Sequence, residues 1–411
     1  MADRDFAMAR YIAPIYACIG SFFKKNNPEI KTISHYTSTK VLDALLKNAT
    51  FWASHILFQN DKNEYVLGVK ELERQVGENA ELGLTAGDLG IYTISFSDGT
   101  DLLQQWITYA KESGVSLEID AGKLLDESGS FVFDFGCVKP GIAAKDVLHR
   151  MVYDDPSAIL SKEAIRSSFN ENIYEAYDGH LSSKEKDGIW ANDDYDPEKK
   201  EYLRLLASYI KDKNFQLEKE IRASFIPGKD GKRATEIKYF QQDNGILRPY
   251  MEVTVRSDSE NTGNFAECLP IKSITVGPSG NQQAVFDSVV HRIKYGENKV
   301  YNYYLDKDAF NCNFMDFFCH AVKLVLKNTS KSVTSEDFLQ VYNLVAEEIK
   351  KEHSDWEVPN ISACRGKSIS ELCIAGEKNI GCDDLYSYIV KNNYFSKEGI
   401  WVKKSAIPYI F

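Results

Sequence analysis

Hydrophobic residues recur every three or four positions over several stretches of the chain, and this is the period of an amphipathic helix. The first apolar stretch covers residues 11–23. It is far shorter than the ~20 residues of a membrane span, so we expect no membrane partner. We predict an N-terminal helix within residues 1–29 that docks on the main domain. The same spacing predicts further helices within residues 38–48, 64–74, 156–211 and 301–384.

Between these helices lie short segments rich in β-branched and aromatic residues, which are typical of strands. From residue 215 the hydrophobic period changes to two, so Glu218, Glu220 and Arg222 are expected on one face of a strand. The dipeptide Asn244-Gly245 indicates a turn in an antiparallel meander. The clearest further strand candidates are residues 51–54, 91–97, 115–119, 131–138 and 271–276.

These two patterns together predict an α+β fold. We expect a mixed, largely antiparallel sheet that is split around a cleft, with a helical insertion near the C-terminus. Residues 30–300 form the α+β, catalytic-like domain in this interpretation, and residues 301–384 form the insertion. Residues 385–411 contain an apolar, β-prone segment at positions 399–402. We expect this segment to return to the α+β domain as its last strand.

Composition and charge exclude several classes of function. The 411 residues include 60 Asp and Glu against 49 Lys and Arg, a net charge of −11. Proteins that coat nucleic acid through phosphate contacts are normally basic, so this class is not favoured. The eight cysteines show no C-x-x-C spacing, which favours a cytoplasmic location and no structural metal. The chain lacks the motifs of dinucleotide-fold dehydrogenases, P-loop ATPases, zinc proteases and serine hydrolases.

The tripeptide His35-Tyr36-Thr37 is predicted to lie in a loop between a short strand and the start of a helix. Such a loop can present a ring nitrogen and a hydroxyl to a ligand, while the helix N-terminus offers backbone amides to an anion. The alternative is that His35 is an ordinary half-buried imidazole and that Thr37 caps the helix. The tripeptide alone favours this alternative.

Two carboxylates and a guanidinium lie at alternate positions of one segment, at Glu218, Glu220 and Arg222. Paired carboxylates suit chemistry at a sugar carbon, because nearby negative charge stabilises an oxocarbenium-like transition state. Arg222 would keep one carboxylate ionised and oriented. The alternative is a solvent-exposed strand face whose ion pairs contribute ~0–1 kcal/mol each.

Two further groups are interpreted as structural. Glu64 and the oxygen donors at positions 60 and 61 have the chemistry of a cation site, but three donors on one turn are more typical of a helix N-cap. Trp106 and Tyr109 lie on the apolar face of a helix that Asp101 is predicted to cap. We therefore expect both rings in the core rather than on a stacking platform.

Several short motifs follow one another in a set order along the chain. They are His35-Tyr36-Thr37, Phe51-Trp52-Ala53-Ser54, Asn60-Asp61-x-x-Glu64, Ser95-Phe96-Ser97 with Trp106 and Tyr109-Ala110, Glu218-x-Glu220-x-Arg222, Arg248-Pro249-Tyr250, Val276-Gly277-Pro278 and Ser405-x-Ile407-Pro408-Tyr409. This series resembles the domain-of-unknown-function family 2971. The resemblance covers residues 30–280 and 385–411, and it leaves the helical region 301–384 unmatched.

That family is distantly similar to ADP-ribosyltransferases, so the resemblance implies their type of fold and NAD as a substrate. It implies that His35 binds the adenosine-side ribose of NAD, with Tyr36 and Thr37 as neighbouring NAD-binding residues. It also implies that Trp52 or Ser54 lines the nicotinamide pocket. At this second motif the chain has Phe-Trp-Ala-Ser in place of the usual tyrosine.

The resemblance gives Glu220 the role of binding the nicotinamide-ribose hydroxyl and directing the nucleophile. Glu218 would orient the acceptor, and Arg222 would support the NAD site. The implied function is an NAD-consuming effector of bacterial anti-phage defence or abortive infection, a conditional toxin that passes ADP-ribose to a protein, a nucleic acid or water. The alternative is a catalytically silent module that recognises a nucleotide or a phage protein.

Overall fold

The computed structural model of the chain describes residues 2–26, 29–30, 32–59, 63–77, 82–85, 87–109, 113–153, 160–176, 189–191, 196–228, 234–241, 245–258, 262–305, 307–329, 332–351, 356–359 and 380–407. The chain divides into two compact units. The first unit comprises Met1–Ile33, Asn48–Gly99 and Asp120–Cys268, and the second comprises Ser34–Lys47, Thr100–Ile119 and Leu269–Phe411.

The predicted α+β class is confirmed, because the strands form a mixed, largely antiparallel open sheet accompanied by helices. The helices are α1 (Ala2–Asn26), α2 (Thr39–Asn48), α3 (Glu64–Val76), α4 (Leu103–Tyr109), α5 (Ala121–Leu124), α6 (Ala144–Val147), α7 (Lys162–Ala176), α8 (Asp196–Ala207), α9 (Gln282–Tyr295), α10 (Lys307–Thr329), α11 (Ser335–Lys350) and α12 (Cys382–Asn392). The strands are β1 (Ile33–Ser38), β2 (Thr50–His55), β3 (Tyr92–Ser97), β4 (Gly114–Ile119), β5 (Phe131–Asp134), β6 (Ile142–Ala143), β7 (Leu148–Arg150), β8 (Glu220–Phe225), β9 (Lys238–Gln241), β10 (Leu247–Ser257), β11 (Ala266–Glu267), β12 (Ile271–Val276), β13 (Asn393–Phe395) and β14 (Trp401–Lys404).

In the first unit the strand order is β3-β2-β10-β5-β6, with β8 on β3, β7 on β8, and β9 and β11 on β10. Strand β3 pairs antiparallel with β8 along its length, and the register ends with Ser97 opposite Glu220. Strand β2 pairs with β3 over two residue pairs only, one of which places Ser54 opposite Thr93. Because opposed and alternate strand residues share a face, Ser54, Thr93, Ser97 and Glu220 lie on the same face of this sheet.

The N-terminal helix forms as predicted and contributes to the core of the first unit. Tyr16, Phe22 and Phe23 are at most 1% exposed. The hydroxyl of Tyr16 accepts a hydrogen bond from the backbone nitrogen of Ile226 at 2.8 Å, and Phe23 stacks on the ring of His149 with the centroids 4.4 Å apart. Burying one such aromatic side chain contributes ~1.5–3 kcal/mol, so this helix is an integral part of the unit.

His149 offers a test of how a buried imidazole affects stability. Its Nε2 has no hydrogen-bond partner among the described residues, and burial lowers its pKa from 6.5 to about 4. The unfolded imidazole takes up a proton that the folded one does not, so wild-type stability is lost as the pH falls from about 6.5 to 4. We expect His149→Phe to reduce the loss of unfolding free energy between pH 7 and pH 5 by about 2 kcal/mol. Urea unfolding at both pH values measures this, and an unchanged pH dependence contradicts it.

The predicted strand starting at residue 215 is wrong in its first half. Lys213–Glu218 form a 3-10 helix, because the side chain of Asp212 accepts a hydrogen bond from the backbone nitrogen of Asn214 at 2.8 Å. Lys219 then adopts a left-handed conformation with φ of 47°, which ends the turn. The strand begins only at Glu220. Glu218 therefore approaches its neighbours from a turn, not from a strand face.

In the second unit the strand order is β13-β14-β12-β4-β1. Strand β12 is antiparallel to β4 and parallel to β14, and β13 is antiparallel to β14. Helices α10, α11 and α12 contribute to an aromatic core that contains Phe314, Phe318 and Tyr342, and the last strands add Phe395 and Trp401 to it. No helix in the described part of the chain is long and apolar enough to cross a membrane.

The predicted core position of Trp106 is confirmed, whereas that of Tyr109 is wrong. Trp106 is 2% exposed, and its Nε1 donates a hydrogen bond to the carboxylate of Asp101 at 2.8 Å. Tyr109 is 43% exposed because it is the last residue of a helix of only seven residues. Asp101 has a left-handed φ of 60°, and its carboxylate also accepts a hydrogen bond from the backbone nitrogen of Ala406 at 3.0 Å.

Candidate functional site

Five charged side chains of the first unit meet in its interior, and we call them the charged cluster: Glu64, Lys211, Glu218, Glu220 and Arg222. They come from the start of α3, the segment after α8, the end of the 3-10 helix and strand β8. Each of these side chains is at most 13% exposed. Three carboxylates against two cations leave one net negative charge in a largely dehydrated setting.

Both carboxylate oxygens of Glu220 are engaged. Oε1 accepts hydrogen bonds from the hydroxyl of Ser95 at 2.6 Å and from Nε and Nη2 of Arg222 at 2.9 and 2.7 Å. Oε2 accepts a hydrogen bond from Nζ of Lys211 at 2.6 Å. The backbone nitrogen of Glu220 donates to the hydroxyl of Tyr153 at 2.7 Å. These contacts hold the carboxylate in a single orientation.

The two cations bind the cluster together. Lys211 contacts two further carboxylates, Glu218 at 2.8 Å and Glu64 at 3.3 Å. Arg222 also pairs with Glu64, and its Nη1 donates a hydrogen bond to the backbone oxygen of Ser208 at 2.8 Å. A buried cation is costly unless it is paired with good geometry, and here each cation contacts at least two carboxylates.

The electrostatics of the cluster fix its protonation. Burial by itself raises the pKa of Glu220, but Arg222 and Lys211 outweigh this effect and lower it to about 2. Burial acts to lower the pKa of both cations, whereas the carboxylates of Glu220 and Glu64 outweigh it and raise both values above the ordinary range. Glu220 is therefore ionised at neutral pH, and both cations keep their protons.

Acid should destabilise the first unit through Glu220. The pKa of Glu220 is lowered from 4.5 to about 2, so its contribution to stability is present above pH 4.5 and is lost as the pH falls towards 2. We expect a loss on the order of 3 kcal/mol over this interval, measured by urea unfolding at a series of pH values. Glu220→Gln should remove this dependence. Burial raises the pKa of Asp146 to about 6, so the contribution of this residue to stability changes with pH in the opposite direction. This contribution is the same in both proteins and cancels when their pH dependences are compared. An equal pH dependence of the two proteins contradicts the prediction.

The structure brings three of the predicted site residues together, namely Glu218, Glu220 and Arg222. Arg222 contacts Glu220 as the sequence predicts and keeps it ionised. The alternative of a solvent-exposed face is wrong, since Glu220 is 4% exposed and Arg222 is 1% exposed. The physical reason is that α3 and the segment after α8 supply the further charges Glu64 and Lys211, which cover these two residues.

Trp52 and Ser54 lie on β2 of the same unit. Ser54 is paired with Thr93 of β3, and Thr93 is paired with Ser224 of β8. Ser54 and Glu220 therefore share a sheet face, and Glu220 lies four residues, or ~13 Å, from Ser224 along β8. Trp52 is 53% exposed and stacks on Tyr250 with the ring centroids 4.3 Å apart. The predicted nicotinamide-pocket residues are thus on the sheet face that carries the charged cluster.

The predicted loop position of His35, Tyr36 and Thr37 is wrong, because all three lie within strand β1, in the part of it that belongs to the second unit. The hydroxyl of Tyr36 accepts a hydrogen bond from the backbone nitrogen of Leu102 at 2.8 Å, and its ring packs edge-on against Trp106. Burial raises the pKa of Tyr36 to about 12, although the bond from Leu102 acts in the opposite direction. Within its own unit Tyr36 is a packed aromatic residue.

Sequence reasoning assigns no site role to three residues that contact Glu220. The hydroxyl of Ser95 and Nζ of Lys211 donate to its carboxylate, and the hydroxyl of Tyr153 accepts a hydrogen bond from its backbone nitrogen. Ser95 is 125 positions from Glu220 along the chain, and only the pairing of β3 with β8 brings them together. The one local sequence signal for a buried charge is that Lys211 directly follows the mostly apolar residues 205–210, all of which are buried.

The capping role predicted for Glu64 is corrected by its contacts with Arg222 and Lys211. Asn63 makes no side-chain capping bond at the start of α3, and positions 60 and 61 lie outside the described residues. Within the described ranges, no group of three or more His, Cys, Asp or Glu side chains is arranged to hold a metal ion.

The charged cluster offers one kind of chemistry directly. A carboxylate that is ionised, fixed by hydrogen bonds and shielded from water stabilises positive charge that develops beside it. Among the three carboxylates of the cluster, Glu218 has the most exposed side chain.

No protein-family model matches the chain, and no curated protein or solved structure matches it. The resemblance described above stays a prediction. The contacts within the first unit are therefore what supports a function for this chain.

Proposed function

We propose that the chain is an ADP-ribosyltransferase-like effector that cleaves the nicotinamide–ribose bond of NAD. The observation that carries this proposal is the state of Glu220, an ionised carboxylate held by Ser95, Lys211 and Arg222 at the first position of β8. Cleavage of that bond leaves positive charge on the ribose carbon and ring oxygen. A carboxylate oriented before the reaction stabilises this charge without further reorganisation.

The roles of the other residues are those that the resemblance implies, and the positions of Trp52 and Ser54 in the first unit support them. Trp52 presents an exposed aromatic ring, and Ser54 presents a hydroxyl, on the sheet face that carries Glu220. A nicotinamide ring can stack on the first, and its carboxamide oxygen can accept a hydrogen bond from the second. Glu218 would orient the acceptor, which is a protein, a nucleic acid or water. The setting in anti-phage defence that the resemblance implies belongs to the same proposal.

A second candidate function is favoured by the same carboxylate. Both oxygens of Glu220 already accept hydrogen bonds from cations, and the residue is 4% exposed. A charged cluster whose hydrogen-bonding groups are paired with one another is also suited to be the rigid centre of a catalytically silent module. Such a module would bind a nucleotide or a protein and leave it chemically unchanged.

One experiment separates the two candidates. The full chain is incubated with NAD, nicotinamide release is quantified, and NAD binding is measured in parallel by calorimetry. Release above the rate without protein supports the enzyme. Binding without release supports the silent module in its nucleotide-binding form. If NAD neither binds nor is consumed, the enzyme proposal is wrong.

A further inference from the structure

Strand β9 forms an edge of the sheet in the first unit. It pairs with β10 and with no other described strand, and this pairing places Phe240 opposite Arg248 and Lys238 opposite Tyr250. An edge strand carries a row of backbone N–H and C=O groups that can pair with a further strand. The outer side of β9 is therefore a place where such a strand can be added.

The hydrogen bonds of β10 show which groups of β9 point outwards. Strands β2 and β9 lie on opposite sides of β10, because both pair with Tyr250. The backbone nitrogen of Val255 donates to the oxygen of Ala49, directly before β2, at 2.8 Å. Because these directions alternate along a strand, odd-numbered residues of β10 face β2 and even-numbered ones face β9. The hydrogen-bonded pairs between β9 and β10 are thus those at Phe240 and Lys238.

The backbone groups of Tyr239 and Gln241 consequently point away from β10. Pro249, which lies opposite Tyr239, agrees with this assignment, because it has no N–H to donate to β9. Neither Tyr239 nor Gln241 makes a backbone hydrogen bond with a described residue on its outer side. The outer edge of β9 thus presents two N–H groups and two C=O groups that a further strand can pair.

The side chains at this edge do not protect it from pairing. Tyr239 is 64% exposed, and Leu247, its diagonal neighbour on β10, is 60% exposed. Edge strands that stay unpaired commonly carry charged side chains or proline. The one charged residue of β9, Lys238, is held by Glu252 at 2.8 Å and by Glu236 at 3.7 Å. The edge therefore combines open backbone groups with exposed apolar side chains.

A second copy of β9 matches this edge. In an antiparallel pair the outward groups of both strands must meet, so Tyr239 lies opposite Tyr239 of the second copy, and Gln241 lies opposite Ile237. Lys238 then lies opposite Phe240 in both directions, where a lysine side chain packs favourably on an aromatic ring. Within residues 237–241 no like charges face each other in this register. The edge is thus complementary to itself.

The register centred on Tyr239 uses more of the open groups than its neighbours do. A pair centred on Ile237 brings Thr235 opposite Tyr239, but the backbone nitrogen of Thr235 already donates to the oxygen of Gly228 at 3.1 Å. A pair centred on Gln241 leaves Tyr239 without a partner in the described part of the second copy. The pair centred on Tyr239 is therefore favoured.

We infer that two copies of this chain form a dimer by antiparallel pairing of β9 with β9 about Tyr239. In a strand pair of this kind the backbone hydrogen bonds give affinity, and the facing side chains give specificity. The two-fold axis passes between the two tyrosines, so the contact closes with two copies and does not extend into a fibre. The inference uses residues of the first unit only and is independent of the function proposed for the charged cluster.

Sedimentation equilibrium of the full chain at micromolar concentrations tests the inference, and we expect a monomer–dimer equilibrium. Tyr239→Lys places like charges opposite each other at the two-fold axis and should raise the Kd of the dimer at least about tenfold. Tyr239→Glu should have the same effect. An equimolar mixture of the two variants should recover the dimer, because opposite charges then face each other across the axis.

The matched control is Tyr295→Lys, which changes a tyrosine of the second unit that is 70% exposed. It should dimerise as the wild type does. Because Tyr239 is exposed, its variants should keep the melting temperature of the monomer. A wild type that stays monomeric overturns the inference and leaves the edge to a strand of another protein. A dimer that survives Tyr239→Lys also overturns it, and a mixture that stays monomeric shows that the register about Tyr239 is wrong.

Discussion

Arg222→Met should lower the free energy of unfolding of the chain by about 3–5 kcal/mol. Arg222 is 1% exposed and contacts the carboxylates of Glu220 and Glu64. Its removal leaves both carboxylates buried with one fewer cation, so the cluster changes from one to two net negative charges. Methionine fills much of the same space, and the cost is therefore electrostatic more than steric. Urea unfolding at neutral pH, followed by circular dichroism, measures the effect.

The matched control is Arg256→Met on β10 of the same unit. Arg256 pairs with Asp134 at 2.9 Å, but its side chain is 31% exposed. Partly exposed pairs of this kind contribute ~0–1 kcal/mol. The difference between the two variants isolates the effect of burial on an arginine–carboxylate pair. If both substitutions cost the same, the charged cluster is not the electrostatic centre that its contacts indicate.

Local sequence patterns predict the elements of this chain well wherever the residues of one segment determine its structure. Strand β12 coincides with the predicted segment 271–276, and β3 begins one residue inside the predicted segment 91–97. In one short segment, however, the alternation of apolar and polar residues predicts the wrong structure. Residues 215–219 have the period of a strand, but the side chain of Asp212 and the left-handed Lys219 close a 3-10 turn there. Over so short a segment, a capping side chain determines the backbone structure more strongly than the hydrophobic period does.

The candidate site is only half predictable for a different reason. Glu220 and Arg222 are two residues apart on one strand, so their contact follows from alternation alone. Ser95 and Lys211 reach the same carboxylate through the pairing of β3 with β8 and through the turn after α8. Neither the register of that pairing nor the path of that turn is encoded within a single segment. Long-range packing therefore decides that the carboxylate pair is buried.

Glu220→Gln should reduce the rate of nicotinamide release from NAD by about 10²–10³-fold, which corresponds to ~3–4 kcal/mol of lost transition-state stabilisation. This prediction rests on the proposed enzyme function. Glutamine keeps the shape of the side chain but has no negative charge to place beside the developing oxocarbenium ion. Because Glu220 is buried and paired, the variant also loses stability. Both proteins are therefore assayed below the melting temperature of the less stable one.

Glu218→Gln is the control from within the same cluster. Glu218 contacts Lys211 as Glu220 does, so its loss perturbs the same cation, but its side chain is 13% exposed and it precedes the strand. Its predicted role is to orient the acceptor, and the expected reduction in nicotinamide release is correspondingly milder. Equal rates for wild type and Glu220→Gln would refute the catalytic role of Glu220. Binding of NAD by all three proteins without nicotinamide release would instead identify the charged cluster as the rigid centre of a binding module.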